Sequence, residues 1–197
     1  MATHHAITAI GRAIIGLFEE AVKGSEFEGI GVKLFQAADF QKRPFEEGIS
    51  LYLYRIQVST ARRRLPARQT PGGARLRPAL PVDLHYLLTP WAKTAEKQHL
   101  LLGFAMRLIE DTPVLSSGIL NKYGHEPNTF RPDETVDLIP DALSIQDMLN
   151  VWEVGKPNIQ ISTSYIARTV ALESLAVEKD EELVQTRVFG AGKLEDG

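Results

Sequence analysis

Alternation of apolar and polar residues marks two strands in the middle of the chain. In Leu80-Pro81-Val82-Asp83-Leu84-His85-Tyr86-Leu87-Leu88 the even positions are all apolar and the odd ones mostly are not. That is the period of a strand with one buried face, and it predicts a strand over Leu80 to Thr89. Upstream, Ile49 to Thr60 reads as a second strand whose apolar phase changes partway, so its middle is covered on both faces or bulged. This strand is expected to be central. Downstream, a helix ends at Asp111-Thr112-Pro113, with Leu101, Phe104, Ala105 and Leu108 on one stripe. Leu100, Leu102, Met106 and Ile109 widen the apolar surface to most of the circumference. A helix that apolar is either sandwiched inside its own domain or covered by a second copy of the protein.

The flanking patterns complete the outline. Ile7, Ile10, Ile14, Leu17, Phe18, Ala21 and Val22 recur at helical spacing and predict an amphipathic first helix that Gly24 ends. Ile30 to Phe35 predicts a short strand, and Asp39 to Glu47, which contains Pro44, a loop. Leu115 to Thr135, with Gly118, Gly124, Pro127 and Pro132, reads as a long loop of the kind compact domains reserve for binding or subunit contacts. Val136 to Ile139 predicts a short strand. Ser144 is placed as an N-cap, with Asp147 three positions on, ahead of Ile145, Met148, Leu149 and Trp152. Ile159 to Leu172 is rich in strand formers. The expected fold class is α/β (α+β), a mostly antiparallel sheet covered by two or three helices. Residues 1–175 are expected to form one domain. Residues 176–197 turn acidic and are expected to be a tail, able to add a strand to a neighbour's sheet.

Charge changes this picture more than composition does. At 197 residues, 44% hydrophobic and 24% charged, the chain has the size and make-up of one globular domain. A formal net charge of -3 does not point to a general nucleic-acid or membrane binder. Its distribution is uneven: seven arginines and no Asp or Glu lie between Arg55 and Arg77, so an acidic body carries a basic loop. With no cysteine, disulfides and thiolate metal sites are excluded. Met1-Ala2-Thr3-His4-His5 lacks a signal-peptide start, and no window approaches the roughly 18 apolar residues of a membrane helix. Synthesis and folding in the cytoplasm, without direct membrane insertion, are therefore expected.

Candidate chemistry is sparse. Asp83 and His85, two apart on a strand, share its polar face and read as surface residues, with no Ser or Cys nucleophile motif to use them. Gly190-Ala191-Gly192-Lys193 fails as a phosphate loop, because Arg187 stands where the first glycine belongs and Leu194 where Ser or Thr should be. His4, His5, His99 and His125 lack partners at zinc-site spacing. Trp91 and Trp152 are read as core or interface anchors. No catalytic residue, cofactor, metal or small-molecule substrate is expected. What remains is the loop from residue 60 to 78, in which Arg62, Arg63, Arg64, Arg68, Arg75 and Arg77 are the candidate partner-binding residues. Arginines repel one another, so a cluster this dense calls for phosphate or an acidic protein surface. Without a partner it is a solvated hairpin loop. No aromatic residue lies between Ala61 and Leu84, which weakens single-strand nucleic-acid binding.

An ordered series of segments carries a family resemblance. Leu51-Tyr52-Leu53-Tyr54-Arg55 comes first, then Pro81 to Thr89, then Leu102-Gly103 with Ile109-Glu110-Asp111-Thr112-Pro113-Val114-Leu115. Leu143-Ser144-Ile145 with Leu149 and Trp152, and finally Ser162-Thr163-Ser164-Tyr165, complete it. The series resembles the tail-cap, or tail-terminator, proteins of contractile injection systems of the antifeeding-prophage and virulence-cassette type, from about Ile7 to Leu172. The resemblance implies a non-enzymatic subunit of a homo-hexameric ring on the end of the inner tube and sheath, which fixes tail length. It implies tube protein, sheath protein and sister copies as partners, within a particle that is released or membrane-anchored. It supplies no catalytic residues, and the arginine cluster is not part of the shared pattern. The alternative is a nucleic-acid-binding neck or head-completion protein that works through loop 60–78.

Overall fold

In a computed structural model, described for residues 3–41, 46–60, 67–70, 72–124, 128–153, 156, 158 and 160–178, the chain forms one six-stranded sheet with helices on both faces. The strands are β1 (Gly31–Phe35), β2 (Gly48–Val58), β3 (Leu80–Trp91), β4 (Val114–Ser116), β5 (Thr135–Asp141) and β6 (Thr163–Leu172). The helices are α1 (His5–Val22), α2 (Ala95–Asp111), α3 (Ser117–Tyr123) and α4 (Ile145–Trp152), with a short 3-10 turn at Ala37–Gln41. The strand order is β1-β2-β3-β6-β5-β4. β1 runs parallel to β2 and every other pair is antiparallel. The mostly antiparallel α+β sheet expected from the pattern is the one found.

The phase change in β2 is a bulge. Leu51 and Leu53 stand opposite Leu88 and Tyr86, the register then skips one residue, and Ile56 and Val58 stand opposite Leu84 and Val82. One extra residue, Tyr54, therefore moves the apolar set from odd to even positions while keeping it on one face. β2 is an interior strand, but the more central position belongs to β3, which is buried from Pro81 to Trp91.

Burial of β3 on both sides corrects the one-face reading. Its even residues face α1, α2 and α3, within a core that contains Ile10, Ile14, Phe18, Ala105, Ile109 and Leu120. Its odd residues face a second cluster, built from Phe35, Phe40, Leu87, Trp91 and Trp152 under the 3-10 turn and α4. Asp83 and His85 are thus buried, not surface residues; each is only 5% exposed. Both tryptophans are core anchors, at 2% and 3% exposure.

Two further expectations change. The stretch read as a loop from Leu115 to Thr135 contains most of β4 and all of α3, capped by Ser116, whose Oγ accepts the N–H of Ile119 at 3.4 Å. Beyond α3, Asn121 ties the chain down by donating to Phe130 O at 2.8 Å and accepting Phe130 N–H at 2.9 Å. The loop read from Asp39 begins inside the 3-10 turn, which buries Phe40. α1 lies close to its neighbours because Gly16 has no side chain; a Cβ there would stand 2.3 Å from the Tyr123 ring.

Asp83 holds a second irregularity. The β3–β6 register shifts between Val82 and Leu84, where Thr169 takes a φ of 56°. The Thr169 N–H, turned out of the ladder, donates to Asp83 Oδ1 at 2.8 Å. A β-branched residue in the left-handed region is strained, and the buried carboxylate holds it there. Asp83→Ala is expected to lower the unfolding free energy by about 2 kcal/mol in urea denaturation, because the Thr169 N–H loses its acceptor. Thr169→Gly in the same background is expected to recover part of the loss.

Candidate docking surface

The arginine loop is held to the body more closely than its composition suggests. Arg62, Arg63 and Arg64 lie outside the described residues. Beyond them, Gln69 pairs antiparallel with Arg75 around a tight tip, in which Thr70 N–H donates to Ala74 O at 2.8 Å and Gly73 N–H to Thr70 O at 2.9 Å. Gly73 sits at a φ of 83°, which suits glycine. Leu76 is buried and pairs with Val177, while Arg77 N–H donates to Ala176 O at 2.9 Å and Glu178 N–H to Arg75 O at 2.7 Å. The chain leaving β6 therefore straps the loop.

Its charges are also partly satisfied from within. Arg68 is set between Glu134, 3.1 Å away, and Glu173, whose side chain is almost wholly buried. Burial pushes both carboxyls above the ordinary carboxylate value, and the Arg68 guanidinium opposes that rise. Arg75 pairs with Glu178 at 2.7 Å. Arg77 is exposed, and its guanidinium has no partner among the described residues. Of the candidate arginines described, two are internal counter-ions and one faces solvent. Sequence reasoning missed Glu134, Glu173 and Glu178, which topology brings to the loop from far along the chain. A polar cleft of about 370 Å³ opens beside Arg68, with Asp137, Arg168 and Thr169 on its walls.

Asp83 and His85 do not work together. Asp83 serves the Thr169 bulge, whereas His85 Nδ1 lies 3.0 Å from Asp141 Oδ2. Tyr54 donates its hydroxyl to that same carboxylate oxygen at 3.0 Å. Burial, then the Asp141 carboxylate, holds the Tyr54 hydroxyl well above its usual range, so it stays a donor. The cluster closes β2, β3 and β5 against one another and offers no nucleophile. Among the described residues, no group of three His, Cys, Asp or Glu is arranged to hold a metal ion.

Among the described residues, apolar side chains remain uncovered on several elements. α2 buries Leu101, Ala105 and Ile109 but exposes Leu100 and Met106. α4 exposes Ile145, at 82%, and Leu149 one turn on. At the outer end of β2 and β3, Ile56, Val58 and Leu80 are each about half exposed, and Leu175 and Val177 are exposed after β6. No helix among the described residues is long and apolar enough to cross a membrane.

Residues 9–186 match the sequence model of the Pvc16 N-terminal domain. The chain belongs to that family. Its fold is similar to that of the PVC sheath/tube terminator of an extracellular contractile injection system in the extended state, with 13% identity and a TM-score of 0.60. That match covers 96% of this chain and 65% of the other. A second fold likeness is to the tube-terminating cap of the anti-feeding prophage, with 13% identity and a TM-score of 0.54, covering 90% of this chain and 59% of that one. The chain thus spans less than two thirds of either structure. No curated protein matches it in sequence. Pvc16 N-terminal membership and the terminator-like fold agree with the family resemblance carried by the ordered segments.

Arg68 yields a pH test. Glu134 and Glu173 have folded pKa values raised above the ordinary carboxylate value, so each binds its proton more readily folded than unfolded. Keeping them charged therefore costs most at neutral pH, and the cost fades as pH falls through their raised values. Arg68→Gln is expected to destabilise the fold by about 3 kcal/mol at neutral pH. Thermal unfolding should show that loss shrinking on acidification toward the ordinary carboxylate range; an equal loss at every pH would mean that Arg68 does not offset the two carboxylates.

Proposed function

We propose that this chain is a structural cap of a contractile injection system. Six copies form a closed ring on the last layer of inner tube and sheath, block further addition of subunits and thereby fix tail length. The supporting observation is the family match over residues 9–186, joined to likeness in fold with two proteins that terminate tubes. The uncovered apolar residues on α2, α4 and the outer end of β2 and β3 supply surface for sister copies, tube and sheath. In a ring every subunit repeats one head-to-tail contact, so the six arginine loops gather at one rim. The role requires no catalysis, and assembly takes place in the cytoplasm.

The internal pairing of Arg68 and Arg75 with Glu134, Glu173 and Glu178 weakens the reading of the loop as a phosphate-binding surface. Arg62, Arg63, Arg64 and Arg77 are the arginines left to meet the tube or sheath. Particles assembled without the chain are expected to have tubes of widely scattered length, measured by electron microscopy. A narrow, unchanged length distribution would contradict the cap role. Replacing Arg62, Arg63 and Arg64 together with Ala is expected to weaken attachment to tube or sheath in a pull-down while leaving the melting temperature unchanged. Attachment as tight as the parent's would mean that these three do not meet the tube or sheath.

A further inference from the structure

β1 is the first strand of the sheet, so one of its edges is unpaired among the described residues. Gly31 donates its N–H to Glu47 O at 3.1 Å, toward β2. Strand alternation then points the N–H and C=O groups of Val32 and Leu34 outward. Beside that edge runs a groove of about 370 Å³, walled by Arg12, Ile15 and Glu19 of α1 and by Val32, Lys33 and Leu34 of β1. Val32 and Leu34 pack on the helix-side core, whereas Lys33 stands on the opposite face and pairs with Asp39 at 3.2 Å. A groove lined from both faces of a strand lies along its edge. It has the form that accepts an added strand: open main-chain groups, an apolar floor and a helix as the far wall.

We propose that the segment Val184-Gln185-Thr186-Arg187-Val188-Phe189 of a neighbouring copy adds to β1 as a seventh strand. Val184, Thr186 and Val188 alternate along it, β-branched residues suited to the floor formed by Ile15, Val32 and Leu34. Reach assigns the segment to a neighbour. The described chain ends at Glu178, beside Arg75, at the Leu80 end of β3, whereas β1 stands level with Leu87 to Trp91. The six residues from Glu178 to Val184 span about 20 Å at most. The distance along β3 from Leu80 to Leu87 alone is about 23 Å, before two strands are crossed. A copy's own segment falls short. The inference rests on the ring reading, because a ring brings each copy's end to the next copy's edge.

The test uses a synthetic peptide of residues 179–192 added to the dilute full-length chain, with amide hydrogen exchange as the readout. Added protection is expected at Val32 and Leu34, and it should be lost with a peptide N-methylated at alternate residues, which cannot pair as a strand. No protection at those two amides, or equal protection by the N-methylated peptide, overturns strand addition. Because the chain has no cysteine, full-length Lys33→Cys can also be mixed with full-length Gln185→Cys or Arg187→Cys, which share its face in the proposed pairing. Disulfide-linked heterodimers are expected from at least one mixture. If double variants instead close only within one chain, the assignment to a neighbour is overturned. Peptide protection does not depend on ring formation, so its absence leaves the cap reading standing, whereas a protected but monomeric chain argues against the ring and not against the edge.

Discussion

From Pro81 to Trp91 every residue of β3 is buried, so both faces of the sheet need cover. α1, α2 and α3 supply it on one side, and the 3-10 turn with α4 on the other. Each polar side chain caught between these layers has to be satisfied internally, because an unpaired buried group is costly. Asp83 meets this demand by holding the Thr169 bulge, and His85 meets it at Nδ1, which faces Asp141, whereas His85 Nε2 and the Tyr86 hydroxyl are buried without a hydrogen-bond partner among the described residues. The two bulges, in β2 and β6, keep the apolar residues facing inward along strands that would otherwise drift out of phase. What looks like candidate chemistry in the linear chain is the wiring of a doubly covered sheet.

Much of this architecture is legible in the residues themselves. The shift of apolar residues from odd to even positions within β2 calls for a bulge, and Tyr54 is that extra residue. Ser144 caps α4 by accepting the N–H of Asp147 at 3.1 Å, as its spacing indicates. β3 misleads because Asp83 and His85 imitate a solvent face, and only tertiary cover reveals them as buried. β4 and α3 leave too faint a trace, three and seven residues long with one buried apolar side chain each. The candidate site is the least legible part. Nothing near Arg68 or Arg75 in sequence discloses the glutamates that neutralise them, since those arrive through the pairing of β3 and β5 with β6 and the strap that follows.

The same neutralisation bears on assembly. With Arg68 committed to Glu134 and Glu173, the described part of the loop is tied to the body of the domain. Its remaining exposed charge and the uncovered residues Leu100, Met106, Ile145 and Leu149 lie outside the two cores. A lone subunit leaves that apolar surface in water. Under the proposed cap role, neighbouring subunits take up that excess.

The mass of the purified chain in solution, with and without tube protein, tests this account most directly. A closed assembly of about six subunits, formed alone or on addition of tube rings, is the predicted result. A monomer that persists at high concentration and ignores the tube would contradict it.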